Sequence, residues 1–260
     1  MTRSLLVLSG GHPYEAEPFD ELIHALGDLA REKWDVTHLV HPEAEQEVVG
    51  GAADQADALL FYDMAGYTFG EGKVTSRPPS DGYRQALRRR FASGKGAVTM
   101  HHAIAGWAEW PQWHEWLGGQ FHYQPGAHGP DSGYRHDVEY TARVVSDHPV
   151  IRGVPESFEV TDELYLYPID EHAITPLIRA EGFAFERDNF YSAANAVAGE
   201  MFSREGWDHP HGSDFIAWET RAENAPLVYL QFGDGPDTYA NRHVRTLIAN
   251  ALRYTSGEQP

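Results

Sequence analysis

The run Ser4–Ser9, SLLVLS, is apolar at nearly every position rather than at alternate ones. A strand covered on both faces has that pattern, as in a parallel sheet. A Gly10-Gly11 turn follows. Leu22, Ala25, Leu26 and Leu29 then recur at helical spacing and predict a helix from about Phe19 to Arg31. Val36–Val40 predicts a second strand, and Ala58–Tyr62, just ahead of Asp63, a third. Ser80 is a candidate N-cap for a helix running to Ala92, ended by Gly94-Lys95-Gly96. Ala97–Met100 predicts a fourth strand, and Ala103–Leu117 is a Trp-rich helical segment interrupted at Pro111. Strands alternating with helices predict an α/β fold: a doubly wound, mostly parallel sheet flanked by helices.

The rhythm changes at Gly119. From there to Arg135 the chain is rich in Gly, His and Pro and reads as a long loop. Additional strands are expected at Val138–Val145, Phe158–Val160, Thr175–Ala180, Phe215–Trp218 and Leu227–Leu230. An amphipathic helix from about Tyr239 to Tyr254 closes the chain, with Val244, Leu247, Ile248, Ala251 and Leu252 on one face. No composition break or internal repeat divides it, so residues 1–260 are expected to form one domain.

Charge narrows the partners. Lys+Arg number 20 against 39 Asp+Glu, a formal net charge of −19. Such a surface repels phosphate backbones and anionic bilayers, so nucleic acid and membrane are not expected. A neutral, cationic or metal-bound small molecule is. The absence of Cys excludes disulfides, thiolate metal sites and Cys nucleophiles. The apolar run Leu5–Leu8 is too short for a signal-peptide core, and no stretch approaches the ~20 apolar residues of a membrane span. Cytoplasm is the default compartment. Nothing marks an interface, though a homo-dimer is compatible with this composition.

In open α/β sheets, ligands bind beyond the carboxyl ends of the strands. His12, Asp63, His101 and His102 stand at such ends. Gly11 lets the backbone approach a ligand and presents His12; the plain alternative is a polar turn. The turn at His101-His102 has the position of a nucleophile elbow but carries two imidazoles, able to move protons near neutral pH or bind a metal. Otherwise one caps the backbone and the other faces solvent. Trp107, Trp110, Trp113 and Trp116 are three residues apart and form one face, either core or a platform for sugar rings. His122 and His128 lie in the long loop, where each is a solvated residue or part of a metal or proton-transfer site. Asp162-Glu163 sits among Val160, Leu164 and Tyr165. A carboxylate held there has a raised pKa and serves as a general acid or base, unless the two are a surface carboxylate pair at a strand end. Arg88-Arg89-Arg90 reads as a solvated helix face, and His209-Pro210-His211 as a surface turn. The segment Met64–Pro79, with Tyr67 and Phe69, is a lid or plain surface.

Four stretches taken together resemble the ThuA-like, or trehalose-utilisation, family: VLSGGH, GKGAVTMHHAIAGWAEWPQWHEWLGGQF, SDHPVIRGVPESFEVTDELY and APLVYLQFGDGPDTYANRHVRTLIANALRY. The resemblance spans nearly the whole chain, and the double His with its tryptophans and Gly-Gly-Gln-Phe is its most specific part. It implies a class I glutamine-amidotransferase-like scaffold. Where amidotransferases carry an elbow Cys, this chain has Met100-His101-His102, so thiolate hydrolysis of glutamine is excluded. The resemblance also implies a role in the breakdown of disaccharides and related sugars, and marks His101, His102 and Glu163 as pocket residues. Leu230-Gln231-Phe232-Gly233-Asp234 departs from the family's Gly-His, with Asp234 the polar group in its place.

Three readings follow. The first is a sugar-processing enzyme acting on a disaccharide or an oxidised sugar by acid–base chemistry, through hydrolysis, elimination or isomerisation. His102 is its principal acid or base and Glu163 the carboxylate partner, with His101 beside them. His12 and Asp63 orient hydroxyls, and Gly11, Trp107, Asp162 and Asp234 complete the pocket. The second is a metal-dependent hydrolase holding a divalent ion such as zinc on His101, His122 and Glu163. The third is a non-catalytic sugar-binding protein with the Trp face as its platform.

Overall fold

A computed structural model describes residues 2–29, 34–127 and 129–258, with residues 27–29 described by backbone alone. Strand β1 (Arg3–Gly10) leads to helix α1 (Ala16–Leu29), and β2 (Trp34–Val40) to the short helices α2 (Glu43–Val49) and α3 (Ala52–Gln55). The last two positions of the helix predicted to Arg31 lie outside the described residues. Next come β3 (Ala58–Asp63), a hairpin of β4 (Tyr67–Gly70) and β5 (Lys73–Ser76), α4 (Asp81–Ala92) and β6 (Ala97–Met100). A 3-10 turn, His101–Ile104, precedes α5 (Pro111–Leu117). The second half holds β7 (Gly133–Val144), β8 (Ser157–Leu166), β9 (Thr175–Glu181), β10 (Tyr191–Ser192), α6 (Ala193–Val197), β11 (Phe215–Ala222) and β12 (Ala225–Leu230). Helices α7 (Pro236–Ala240) and α8 (Arg242–Thr255) end it.

Among the described residues one ten-stranded sheet runs through the chain. Its helix-flanked part, β2-β1-β3-β6-β12, is parallel. β11, β9 and β7 then extend it antiparallel from β12, and β8 pairs along β7. The alternation of side chains along β1 explains the doubly wound core. Leu5 and Val7 pack with α1 and α8 on one face, while Leu6 and Leu8 join the tryptophan-rich layer on the other. Both faces are covered, which is why SLLVLS lacks polar alternation. Val244, Leu247, Ile248, Ala251 and Leu252 are buried on α8 as their spacing predicts.

Several expectations are corrected. The pattern Ala103–Leu117 is not one helix: Pro111 starts α5 instead of interrupting it, because a first-turn proline lacks only an N–H that no helical carbonyl would accept. All four tryptophans are core, with Trp107 only 1% exposed, so no Trp platform faces a ligand. Arg90 is buried rather than solvated and donates to the carbonyls of Ala53, Ala56 and Gly96. The strand foreseen at Phe158–Val160 runs on to Leu166, which puts Asp162 and Glu163 inside it. The 64–79 segment is mostly the β4-β5 hairpin. No described helix is long and apolar enough to cross a membrane.

Candidate active site

β6 ends at Met100, and the chain turns through His101 with φ 49°. A non-glycine residue there carries about 1–2 kcal/mol of backbone strain, which the surroundings must hold. They do so at three points. Tyr229 Oη donates to the His101 carbonyl at 3.0 Å. His101 Nδ1 lies 2.8 Å from the Gln231 carbonyl; a carbonyl only accepts, so Nδ1 carries a proton. Nε2 faces Tyr165 Oη at 2.7 Å, Glu163 Oε2 at 3.3 Å and Asp234 Oδ1 at 3.7 Å.

His136 closes the arrangement. Its Nδ1 is 3.3 Å from Glu163 Oε1 and 3.6 Å from Asp234 Oδ2. Two imidazoles and two carboxylates thus alternate around a ring, each carboxylate giving one oxygen to each imidazole. Burial alone would lower the His101 pKa, but Asp234 and Glu163 outweigh it and raise it to about 10. Asp234 shows the converse: burial would raise it, and His101 and His136 hold it well below the usual carboxylate range. The His136 pKa is raised, chiefly by its hydrogen bond to Asp234.

Two backbone features build this ring. The first is strand alternation in β8, which sends the adjacent carboxylates to opposite faces. Glu163 faces the ring. Asp162 faces the other core, where its two oxygens accept the N–H groups of Gly233 and Asp234, both at 2.9 Å. That clamp presents Asp234, and burial pushes the Asp162 pKa up to about 6. Gly233 has φ 136°, and a Cβ there would lie 3.2 Å from that of His101. The second feature is a bulge in β7. Arg135 pairs with Leu164 and Val138 with Asp162, so His136 and Asp137 together oppose Glu163, and Asp137 has φ 54°. The bulge keeps Tyr134 and His136 on the Glu163 face while Val138, Tyr140 and Ala142 turn to the opposite core.

A cavity of about 350 Å³ opens beside the ring. His12, His136, Glu163 and Tyr165 are its polar lining; Phe69, Phe121, Tyr123, Tyr134, Val197 and Met201 are among its apolar walls. Gly11 lines it too. A Cβ at Gly11 would lie 2.1 Å from the Met64 carbonyl oxygen, so only glycine fits. His12 stacks on His102 at 4.8 Å. Burial lowers the His12 pKa.

The other expected site residues lie elsewhere. His102 is one layer behind His12, outside the cavity wall. Its Nε2 is 3.1 Å from the Tyr62 carbonyl, and its buried Nδ1 has no hydrogen-bond partner among the described residues. Burial, with His12 and His101 alongside, holds its pKa well below the ordinary value, so it is neutral. Asp63 points to the opposite face of the sheet and pairs with His41 Nε2 at 2.9 Å. Trp107 packs against that His41 and Tyr83, away from the cavity. His122 lines a separate hollow with His114, Glu115 and Asp170. His128 lies outside the described residues. Sequence reasoning did not single out His136 or Tyr165. Tyr165 has a period-2 signal, two residues after Glu163. His136 has none, because its placement depends on the bulge.

For a metal, His101, Glu163 and Asp234 each offer a ligand atom, all within 4.8 Å of one another. Asp234 therefore stands where the expected set had His122.

The fold and sequence place this geometry among known proteins. A ThuA-like protein from Parabacteroides merdae ATCC 43184 superposes with TM-score 0.69 at 13% identity, over 100% of this chain and 92% of its own. One from Bacteroides uniformis ATCC 8492 gives 0.65 at 16%, over 97% and 91%. A cytoplasmic protein from Salmonella typhimurium LT2 gives 0.55 at 11%, over 96% and 98%. At these identities the likeness is one of fold, and it bears out the mostly parallel α/β architecture flanked by helices. Comparison with curated proteins gives no match. The family model for ThuA, trehalose utilisation, matches residues 4–255, and the chain belongs to the ThuA family.

Proposed function

We propose that the chain is a sugar-processing enzyme that works by proton transfer at the His101–Glu163–His136–Asp234 ring, with Glu163 meeting the substrate. One observation carries the reading. The Glu163 carboxylate forms part of the cavity wall while both its oxygens face imidazoles. A carboxylate so oriented accepts a proton from a substrate carbon or hydroxyl, or returns one to a leaving oxygen. His136, on the same wall, is the second proton-carrying group. The Tyr165 hydroxyl, 2.7 Å from His101 Nε2, donates to a substrate oxygen, and His12 binds a hydroxyl. His101 and Asp162 are positioning residues: one orients Glu163 and Tyr165, the other holds Asp234. His102 acts behind them by supporting His12. ThuA membership supports a sugar-related role, and acid–base groups lining a small cavity suit an oxidised sugar, where the proton beside a carbonyl is acidic.

Glu163→Gln keeps the shape and removes the proton acceptor. With a screen of disaccharides and keto-sugars as assay, kcat is expected to fall about 10²–10⁴-fold with KM little changed. Undiminished turnover in a folded variant rejects the role.

A second reading, metal-assisted chemistry, also has an observation behind it. The Nδ1–Gln231 bond orients His101 so that Nε2 faces the Glu163 and Asp234 oxygens, the outer-sphere support typical of a metal-ligating histidine. A bound divalent ion would supply Lewis-acid polarisation of a substrate oxygen. Elemental analysis of tag-free wild-type and Asp234→Asn protein separates the readings. Near-stoichiometric metal, lost in the variant, favours the ion; full turnover by metal-free protein rejects it.

A further inference from the structure

The lining of the cavity falls into two chemical groups. The side chains able to serve a sugar's hydroxyls, Glu163, His136, His12 and Tyr165, are one. The apolar lining that reaches solvent is its outer end: Phe69 of the β4-β5 hairpin and Met201, with Ala196 and Val197 of α6 in the same lining. The hydroxyls near that end are already engaged: Tyr123 Oη donates to Met64 Sδ at 3.3 Å, and Tyr134 Oη accepts the Phe202 N–H at 2.9 Å.

A second observation concerns the mouth. Phe69 is 43% exposed and Met201 51%, and Phe202, 57% exposed, packs beside Tyr134 and His136. Large apolar side chains left this much in water are few among the described residues, and two of these three, Phe69 and Met201, line the cavity.

We infer that the substrate is a glycoside whose single sugar ring carries an apolar aryl or alkyl group, and that this group occupies the outer end between Phe69, Val197 and Met201. This rests on the sugar-processing reading above. The physical reason is the cost of desolvation. A second sugar ring among these side chains would lose water from several hydroxyls and find as side-chain partners only what the Tyr123 and Tyr134 hydroxyls have left, one to accept and one to donate. An aryl or alkyl group makes no such demand and gains by covering the exposed Phe69 and Met201. The volume agrees: about 350 Å³ is near the small end for ligand sites and suits one ring with a compact substituent. The flexible thioether of Met201 adapts to groups of different shape.

Calorimetric titration of Glu163→Gln protein, which does not consume the ligand, tests this with phenyl and hexyl glucosides of both anomers, methyl glucosides and trehalose. Phenyl or hexyl glucoside is expected to bind at least tenfold more tightly than methyl glucoside or trehalose. In a Phe69→Ser/Met201→Ser background most of that advantage disappears while methyl glucoside binding holds. Both positions are exposed, and circular dichroism checks the fold. Trehalose binding as tightly as phenyl glucoside overturns the inference and leaves the sugar reading intact. If none of these ligands binds, the inference is overturned, and the sugar reading is decided separately by the screen of disaccharides and keto-sugars. Light scattering provides a further arm: a wild-type dimer made monomeric by the double substitution, with ligand preference unchanged, assigns the apolar mouth to a second copy and also overturns the inference.

Discussion

Asp162 and Glu163 are chemically near-equivalent neighbours with different work. Glu163 stands in the cavity wall; Asp162 is buried on the other face and holds two backbone N–H groups. The difference comes only from which way a strand residue points. It makes a prediction at this scale. Asp162→Asn places an amide N–H₂ where one oxygen accepted a backbone N–H, so a buried donor loses its partner. The expected cost is about 1–3 kcal/mol of stability, read as a lower urea midpoint with unchanged m-value. A midpoint equal to wild type would show that the clamp on Gly233 and Asp234 is not needed. The same scale explains why His102 disappoints a reading based on its motif. Its neighbour His101 takes the strained, left-handed turn into the ring, and His102 is left to stack behind His12.

Elements bring these residues to one place, and the joints between them hold the fold at the same end of the sheet. Glu45 on α2 accepts the Ser80 N–H at 2.7 Å and pairs with Arg77 at 2.8 Å, tying the end of the hairpin segment to the start of α4. Burial would raise its pKa, but the bonds to Arg77 and Ser80 outweigh it and hold Glu45 below the ordinary value of 4.5. A depressed folded-state pKa means the stabilisation is present above 4.5 and is lost as pH falls through the lower value. Glu45→Gln is therefore expected to narrow the difference in unfolding free energy between pH 7 and pH 3. Equal pH slopes in variant and wild type would remove Glu45 from that account. Much at this scale was legible. The apolar run of β1, the Ser80 cap and the α8 stripe are local patterns, and each formed where its period indicated. The β7 bulge and the short helices α2 and α3 were not legible, since neither has a period long enough to read.

At the scale of the whole molecule, the site joins the carboxyl ends of parallel strands to the β7-β8 pair of the antiparallel extension. β1 and β6 deliver Gly11, His12 and His101 at their carboxyl ends; β7 and β8 bring His136, Glu163 and Tyr165; the turn after β12 brings Asp234. The formal charge of −19 acts on the whole surface. Like charges repel across it, so salt should stabilise the fold: Tm is expected to rise by a few degrees between about 0.02 and 0.5 M NaCl at pH 7. A flat or falling Tm would show that attractive pairs such as Arg179–Asp214 dominate the balance. The sequence by itself determined the α/β class and the absence of thiol chemistry, because composition and residue period are properties of the chain alone, and its motif stretches carried the family resemblance. Tertiary structure decided which of fifteen histidines meet the carboxylates, turned Trp107 and Asp63 away, and set Asp234 where His122 had been expected. Those partners come from strands and turns far apart in the chain, and their meeting depends on sheet order, strand face and a one-residue bulge, none of which is written in the spacing of the residues themselves.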